Sequence, residues 1–249
     1  MSIPVSAIVI CGNEENNIAA CLTSLSFASE IIVVDSQSTD GTVEIAKKFT
    51  NKVFVKPWEG YAIQKQFALD QATQPWVLSL DADERVSDEL RTELLWMNFT
   101  TIEHAAFTIP RKNFAFGKWI KNCGMYPDRH IRLFKKDSTY VNQVKVHEGF
   151  IVSGSIGELN GDIIHYTFTD IASVFSKINH YSSLQAESKK TDKVPTITSI
   201  TLHTVAAFVN HFVGRKGYRD GIHGFVVSVI HATTTMLVYL KVWERSQKK

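Results

Sequence analysis

Several signatures are missing from this 249-residue chain, and each absence narrows its function. Cysteine is scarce: Cys11, Cys21 and Cys123 are odd in number and no CxxC occurs. Neither a disulfide framework nor a zinc ribbon is therefore expected, and free thiols suit a reducing compartment. The first residues lack a basic stretch followed by an apolar one, so no signal peptide is expected. After the first apolar run there is no GxGxxG, and no GxxxxGKS/T occurs, which argues against dinucleotide and Walker-type phosphate sites. His147-Glu148 is followed by Ile at the place where a zinc protease needs its second histidine. No internal repeat or low-complexity tract is present. Net charge is also small, formally +2, which argues against a general nucleic-acid binder. With 44% hydrophobic and 21% charged residues, a mainly disordered chain is excluded.

The small net charge conceals an asymmetry. Residues 1–170 hold 16 Lys/Arg against 21 Asp/Glu, whereas residues 171–249 hold 11 against 4. An acidic part precedes a basic one, and the two are expected to have different jobs.

The first 85 residues alternate between apolar runs and helical spacing. Val5–Cys11, Ile31–Val34, Val53–Val55 and Trp76–Leu80 read as strands. Asn13 reads as a helix cap, and Ile18, Leu22 and Leu25 fall on one helical face. Val43, Ala46 and Phe49 predict a second helix, and Ile63 with Phe67 a third. Such alternation predicts a mostly parallel, buried sheet. Polar clusters follow the strands at Asn13–Glu15, Asp35–Thr39 and Asp81–Glu84. Ligands of open α/β sheets bind beyond the carboxyl ends of the strands. Further strands are expected over Ala106–Pro110, His130–Phe134 and Asp162–His165, and an amphipathic helix over 171–181.

Asp81-Ala82-Asp83 is the sharpest local feature. Two carboxylates after an apolar strand can hold one hard cation, and acidic groups beside a phosphorylated ligand need such a cation between them. Mg²⁺ and Mn²⁺ both accept oxygen ligands of this kind. The alternative is a solvated turn before a helix at Asp88. Asp35, ending the second strand, can accept from the N–H of a nucleobase edge or cap the turn after it. Lys65 can neutralise a diphosphate or stay a solvated helical lysine. Glu14 and Glu15 can line the same pocket or favour a helix N-terminus. Arg129 and Arg132 can bind phosphates bidentately or form salt bridges.

Taken together, Val5-Ser6-Ala7-Ile8-Val9-Ile10-Cys11-Gly12-Asn13-Glu14-Glu15, Val33-Val34-Asp35-Ser36-Gln37-Ser38-Thr39-Asp40-Gly41-Thr42 and Leu80-Asp81-Ala82-Asp83-Glu84 resemble the family-2 glycosyltransferases of GT-A fold. The resemblance covers roughly the first 165 residues. Tyr126–Phe134, Val146-His147-Glu148-Gly149, Ile164-His165-Tyr166 and the Asp220–Gly224 segment are closer still to bacterial inner-core lipopolysaccharide glucosyltransferases, which add a β-1,4 glucose to heptose.

The resemblance implies a Rossmann-like nucleotide-sugar-binding sandwich with a mixed, mostly parallel sheet over residues 1–168. It implies that Asp35 meets the base, that Asn13, Glu14, Glu15 and Lys65 frame the nucleotide, and that Asp81 and Asp83 serve the ribose and the metal-diphosphate. His165 would be a further metal ligand, or a wall histidine. Glu148 stands where the family places its general base, in a His-Glu setting rather than the commoner Glu-Asp. Whether His147 or Glu148 takes the proton stays open, with the carboxylate favoured because its charge also suits an oxocarbenium-like sugar. The donor implied is UDP-glucose, and the acceptor a lipid-linked glycan.

Residues 169–249 are expected to form a helical, basic, membrane-associating region. Val194–Gly214 and Gly221–Leu240 carry no formal charge, yet contain many Thr, Ser, Asn and His. They read as helices lying on a membrane interface, with Arg215, Lys216, Arg219, Lys241 and Arg245 toward anionic headgroups. The alternatives are a soluble helical subdomain and a transmembrane hairpin. The expected location is the cytoplasmic face of the inner membrane. Two other functions fit less well: a transferase for another glycan or lipid carrier, and a catalytically silent nucleotide-sugar binder. A nucleic-acid module has no motif to support it.

Overall fold

The apolar run at the start of the chain is buried along nearly its whole length, because it becomes the strand with covered faces on both sides. The computed structural model describes residues 2–142, 149–189 and 194–247. In chain order the first elements are β1 (Ile3–Cys11), α1 (Ile18–Ser24), β2 (Ala28–Asp35), α2 (Thr42–Ala46), β3 (Val53–Val55), α3 (Tyr61–Gln71) and β4 (Trp76–Asp81). Next come β5 (Glu84–Val86), α4 (Asp88–Trp96), β6 (Ala106–Ala115), β7 (Lys118–Trp119) and β8 (Asp128–Lys135). The remainder comprises β9 (Thr139–Val141), β10 (Phe150–Val152), β11 (Ile156–Glu158), β12 (Ile163–Phe168), α5 (Ile171–Ser188), α6 (Ile197–Val209) and α7 (Ile222–Gln247).

The described chain forms two units, Met1–Arg111 with Arg129–His165, and Lys112–Asp128 with Tyr166–Lys249. In the first, the sheet runs β3-β2-β1-β4-β8-β6-β12-β5. The first four of these neighbours pair in parallel, β8 is antiparallel to β4, and β12 is antiparallel to β5. The mixed, mostly parallel sheet of the sequence reading is thus present.

Alternate residues of β1 feed two cores. Val5, Ala7 and Val9 pack with Ile18, Leu22, Leu90 and Leu94 from α1 and α4, while Ile8 and Ile10 pack with Ala68 and Leu69 from α3. Each buried Leu or Ile contributes roughly 1.5–3 kcal/mol, which is what holds helices on both faces. α4 starts where Ser87 accepts from Leu90 N at 3.2 Å, with Asp88 and Glu89 in its first turn, the favoured sign at that end. Gly161 lets the segment before β12 lie on this helix: a Cβ there would come within 2.3 Å of Leu90 Cα. Gly161 N donates to Glu93 Oε2 at 2.8 Å, which fixes the entry of β12.

Asn13 differs from its expected role. It has a left-handed φ of 55° and lies in the loop, and α1 begins only at Ile18, preceded by Asn17. The reason is local: the Asn13 amide bonds the neighbouring loop, as described below, and so is not available to cap a helix.

In the second unit, β7 pairs antiparallel with the end of β6, Phe114 opposite Trp119. The helices α5, α6 and α7 follow, with α7 packed against both others. Val174 and Ile178 of the predicted stripe are buried, while Ile171, Phe175 and Tyr181 of the same stripe stay largely exposed. The buried pair meets Ile230 of α7.

Candidate active site

Three loops at the carboxyl ends of β1, β2 and β4 form the site. The first two are stitched together. Asn13 N donates to Ser38 Oγ at 2.7 Å, and Asn13 Oδ1 accepts from Thr39 N at 2.8 Å. Glu14 N donates to Thr42 Oγ1 at 2.8 Å, and Glu15 Oε2 accepts from Gly41 N at 2.9 Å. Asp35 is fully buried, and its carboxylate accepts from Ser38 N at 2.8 Å and from the Ser38 hydroxyl. These bonds cap the turn that follows β2. Cys11 Sγ lies 3.5 Å from Asp35 Oδ1, and burial followed by the Asp35 charge pushes the Cys11 thiol far up. Cys21, under Asp81 O, is raised first by burial and then by Glu84, Asp83 and Asp81. Burial and the neighbouring carboxylates thus disfavour the thiolate form of both.

The third loop is built around a residue that the sequence reading did not single out. Glu84 has no exposed surface. Its Oε2 accepts from Asp81 N at 2.9 Å, closing the turn Asp81–Glu84. Its Oε1 accepts from Arg132 Nη2 at 2.6 Å and from Arg111 Nη1 at 3.2 Å. Arg132 Nη2 also donates to Asp81 Oδ2 at 3.0 Å, and Lys65 Nζ stands 3.7 Å from Asp81 Oδ1. Arg111 continues outward to His130 Nε2 at 2.9 Å. Burial pushes the Asp81 carboxyl up, but Lys65 and Arg132 outweigh it and hold the group well below the usual range. Burial pushes Arg132 down, but Glu84 and then Asp81 outweigh it and raise the guanidinium, which keeps its charge.

Arg132 is thus 4% exposed and bound to two carboxylates, the salt-bridge alternative of the sequence reading. The reason is desolvation: a guanidinium taken out of water needs its carboxylates, which leaves none of that surface for a phosphate. Arg129 lies elsewhere, donating to Leu159 O at 3.0 Å and pairing with Glu158 at 3.5 Å. The two arginines are not brought together.

His165 and Asp83 are brought together. β12 runs antiparallel to β5 with His165 opposite Glu84, and this register sets His165 Nε2 3.4 Å from Asp83 Oδ2. Neighbouring ligands of an octahedral Mg²⁺ at about 2.1 Å stand roughly 3 Å apart, so this oxygen–nitrogen pair fits a divalent cation. Among the described residues no cluster of three His, Cys, Asp or Glu forms a metal site. Two protein ligands suit a cation that completes its shell with phosphate oxygens and water. Asp81, grouped with these two in the sequence reading, is instead turned to Lys65 and Arg132.

His147 and Glu148 lie outside the described residues. The strands flanking them in sequence, β9 and β10, pair antiparallel. Val141 N of β9 donates to Gln66 Oε1 on α3 at 3.0 Å, and Phe150 of β10 packs on Phe134 with ring centroids 4.3 Å apart. The helix that carries Lys65 therefore also anchors β9.

Glu84 could have been found from its position. It is the third acidic residue after a buried strand, and burial of a carboxylate demands cations, which Arg111 and Arg132 supply. The pairing of β12 with β5 has no such sequence signal.

Known proteins resemble this chain in sequence and in fold. The family model described as glycosyl transferase family 2 matches residues 6–155. The chain is 31% identical over 255 residues to a lipopolysaccharide core biosynthesis glycosyltransferase, LpsC of Rhizobium meliloti (strain 1021), covering 99% of this chain and 94% of that protein. It is 34% identical over 257 residues to an uncharacterized glycosyltransferase of Rickettsia typhi, covering 98% and 88%. A mannosyltransferase from Pyrobaculum calidifontis, solved with GDP-Man and Mn²⁺, has a similar fold with a TM-score of 0.56 at 14% identity, covering 98% of this chain and 88% of that one.

Proposed function

The chain belongs to glycosyl transferase family 2, and from that premise we propose that it moves glucose from UDP-glucose, with inversion, onto heptose of a lipid-linked lipopolysaccharide core. The observation that carries this reading is the row of Lys65, Asp81, Asp83 and His165 at the carboxyl edge of the sheet. The name of the LpsC relative supports the class of acceptor.

In this reading the stitched loops Asn13–Glu15 and 36–42 receive the base end of the nucleotide, and Asp35 orders them from beneath. Lys65 faces the diphosphate and Asp81 the ribose side. Asp83 and His165 would hold a divalent cation, Mg²⁺ or Mn²⁺, which supplies charge neutralisation at the diphosphate. Glu148 accepts the proton of the acceptor hydroxyl as that oxygen bonds to the anomeric carbon. The bond from that carbon to the diphosphate oxygen breaks on the opposite side, and UDP departs with the electron pair. One displacement inverts the anomeric centre. His147 orients Glu148 or contacts the acceptor. Residues 1–168 carry this chemistry. Residues 169–249 keep the protein on the cytoplasmic face of the inner membrane, where a lipid-linked acceptor is presented.

The test is a panel of nucleotide sugars with purified protein and lipid-linked core acceptors, followed by linkage analysis. Transfer of glucose to heptose with inverted configuration is expected. Transfer only from another donor, or only to another glycan, overturns the specific assignment.

A further inference from the structure

We propose that the outward face of α6, with the cationic turn after it, docks on an anionic lipid bilayer and that no helix of the second unit crosses it. This deepens the membrane-surface part of the reading above and rests on it, while its test needs no catalysis.

Apolar length alone would select a different helix. α7 has 26 residues and is the one described helix long and apolar enough to cross a membrane. Its packing commits it elsewhere. Val227, Ser228, Ile230, Ala232, Val238 and Val242 are buried, and Lys241 Nζ is held by the Asn179 side chain at 2.7 Å and by Ser183 at 2.7 Å on α5. α7 lies against both α5 and α6, which cover one side of it.

α6 has 13 residues and no buried one. It runs on into the helical turn Asn210–Gly214, and together they reach about 25 Å, short of a hydrocarbon core of about 30 Å, with His211 of that turn 2.9 Å from Cys123 O. At 100° per residue, Leu202, Val205, Ala206 and Val209 fall on one face. Leu202 is 64% exposed, Val205 54% and Val209 47%. Ile200, Thr204, Ala207 and Phe208 make the more covered opposite face. Val213, Tyr218 and Ile222 extend the exposed apolar surface past the end of the helix. A polar rim of tyrosine beside aliphatic residues is typical of a membrane–water boundary.

Charge selects the occupant. Arg215, Lys216 and Arg219 are exposed in the turn after α6, where Lys216 takes a left-handed φ of 56°. No Asp or Glu occurs from residue 194 to 219. The first acid, Asp220, is buried and accepts from Asn122 N at 2.8 Å and Lys121 N at 3.4 Å. A second copy of this face would bring three more cations and no carboxylate. Anionic headgroups meet the cations while acyl chains meet the valines.

Flotation of the full-length protein decides it, using phosphatidylglycerol–phosphatidylethanolamine vesicles and phosphatidylcholine vesicles. The wild type should float with the first and not the second, and 0.5 M salt should weaken it. Val205→Glu with Val209→Glu should reduce flotation about tenfold with unchanged circular dichroism. Arg215→Gln, Lys216→Gln and Arg219→Gln together should abolish the preference for anionic vesicles. Trp96→Glu, an 85% exposed apolar residue of the first unit, should float as the wild type does. Four results overturn the proposal: no flotation of the wild type, unchanged flotation of the α6 variant, retention in the membrane after carbonate extraction, and a drop in molar mass of the α6 variant, which would mark a second copy as the occupant. Loss of the proposed transferase activity with flotation intact would remove the acceptor assignment and leave this surface standing.

Discussion

Glu84 and Arg132 form a buried ion pair 2.6 Å apart, with side chains 0% and 5% exposed, directly beneath Asp81. The pair is the support on which the Asp81–Asp83 turn rests, because Glu84 also holds the Asp81 amide and Arg132 the Asp81 carboxylate. Breaking a buried pair leaves a charge without its partner and costs about 3–5 kcal/mol. Arg132→Met should show that loss in urea unfolding. Arg132→Met with Glu84→Gln should recover part of it, since the carboxylate left with Arg111 as its remaining cation is then neutral.

Asp83→Ala should lower sugar transfer at least about a hundredfold while leaving the unfolding midpoint within experimental error, because Asp83 is outside both cores. His165→Ala should raise the concentration of Mn²⁺ needed for half-maximal transfer more than it lowers the maximal rate. Cation titrations of initial rate check both. Full activity of Asp83→Ala at low cation would refute the ligand assignment.

Glu148→Gln removes the proton acceptor and keeps the shape. General-base loss of this kind costs about 10²–10⁴ in rate. Transfer should fall in that range with UDP-glucose affinity by calorimetry unchanged. A parallel His147→Ala should act more weakly; the reverse order would make histidine the base.

Acid stability should depend on Glu30. Burial opposes its charge, but Lys52, Ser6 and Thr73 donate to it and bring its carboxyl down to about 2. A depressed carboxylate stabilises the fold fully above its unfolded value near 4.5, and that stability drains as pH falls toward 2. Glu30→Gln should therefore flatten the fall of the unfolding midpoint between those pH values. An unchanged slope would show that the ion pair carries no weight.

The parallel half of the sheet was legible because its strands are apolar on both faces and its helices repeat at helical spacing: Val53–Val55 is the third strand as read, and Trp76–Leu80 lacks only Asp81. Asp81 and Asp83 were legible as a pair, yet the structure separates their partners, Arg132 and Lys65 for one and His165 for the other. That division depends on β12 pairing with β5 across some eighty intervening residues, for which local spacing holds no signal. The burial of Arg132 was equally hidden, since an arginine in a strand reads as exposed until the neighbouring carboxylates are placed. Asn13 misled because Asn favours both helix caps and left-handed loop positions.

The position of β1 between β2 and β4 bears on how the chain reaches this state. Ile10 aligns with Val34 on one side and with Asp81 on the other. The second of these pairings closes a loop of about seventy residues, whose entropy is spent before any hydrogen bond between β1 and β4 is gained. Until the chain through Asp81 has been synthesised, one edge of the most apolar strand has no native neighbour. Chaperone dependence and aggregation of translation products truncated before Asp81 should therefore concentrate on Val5–Cys11.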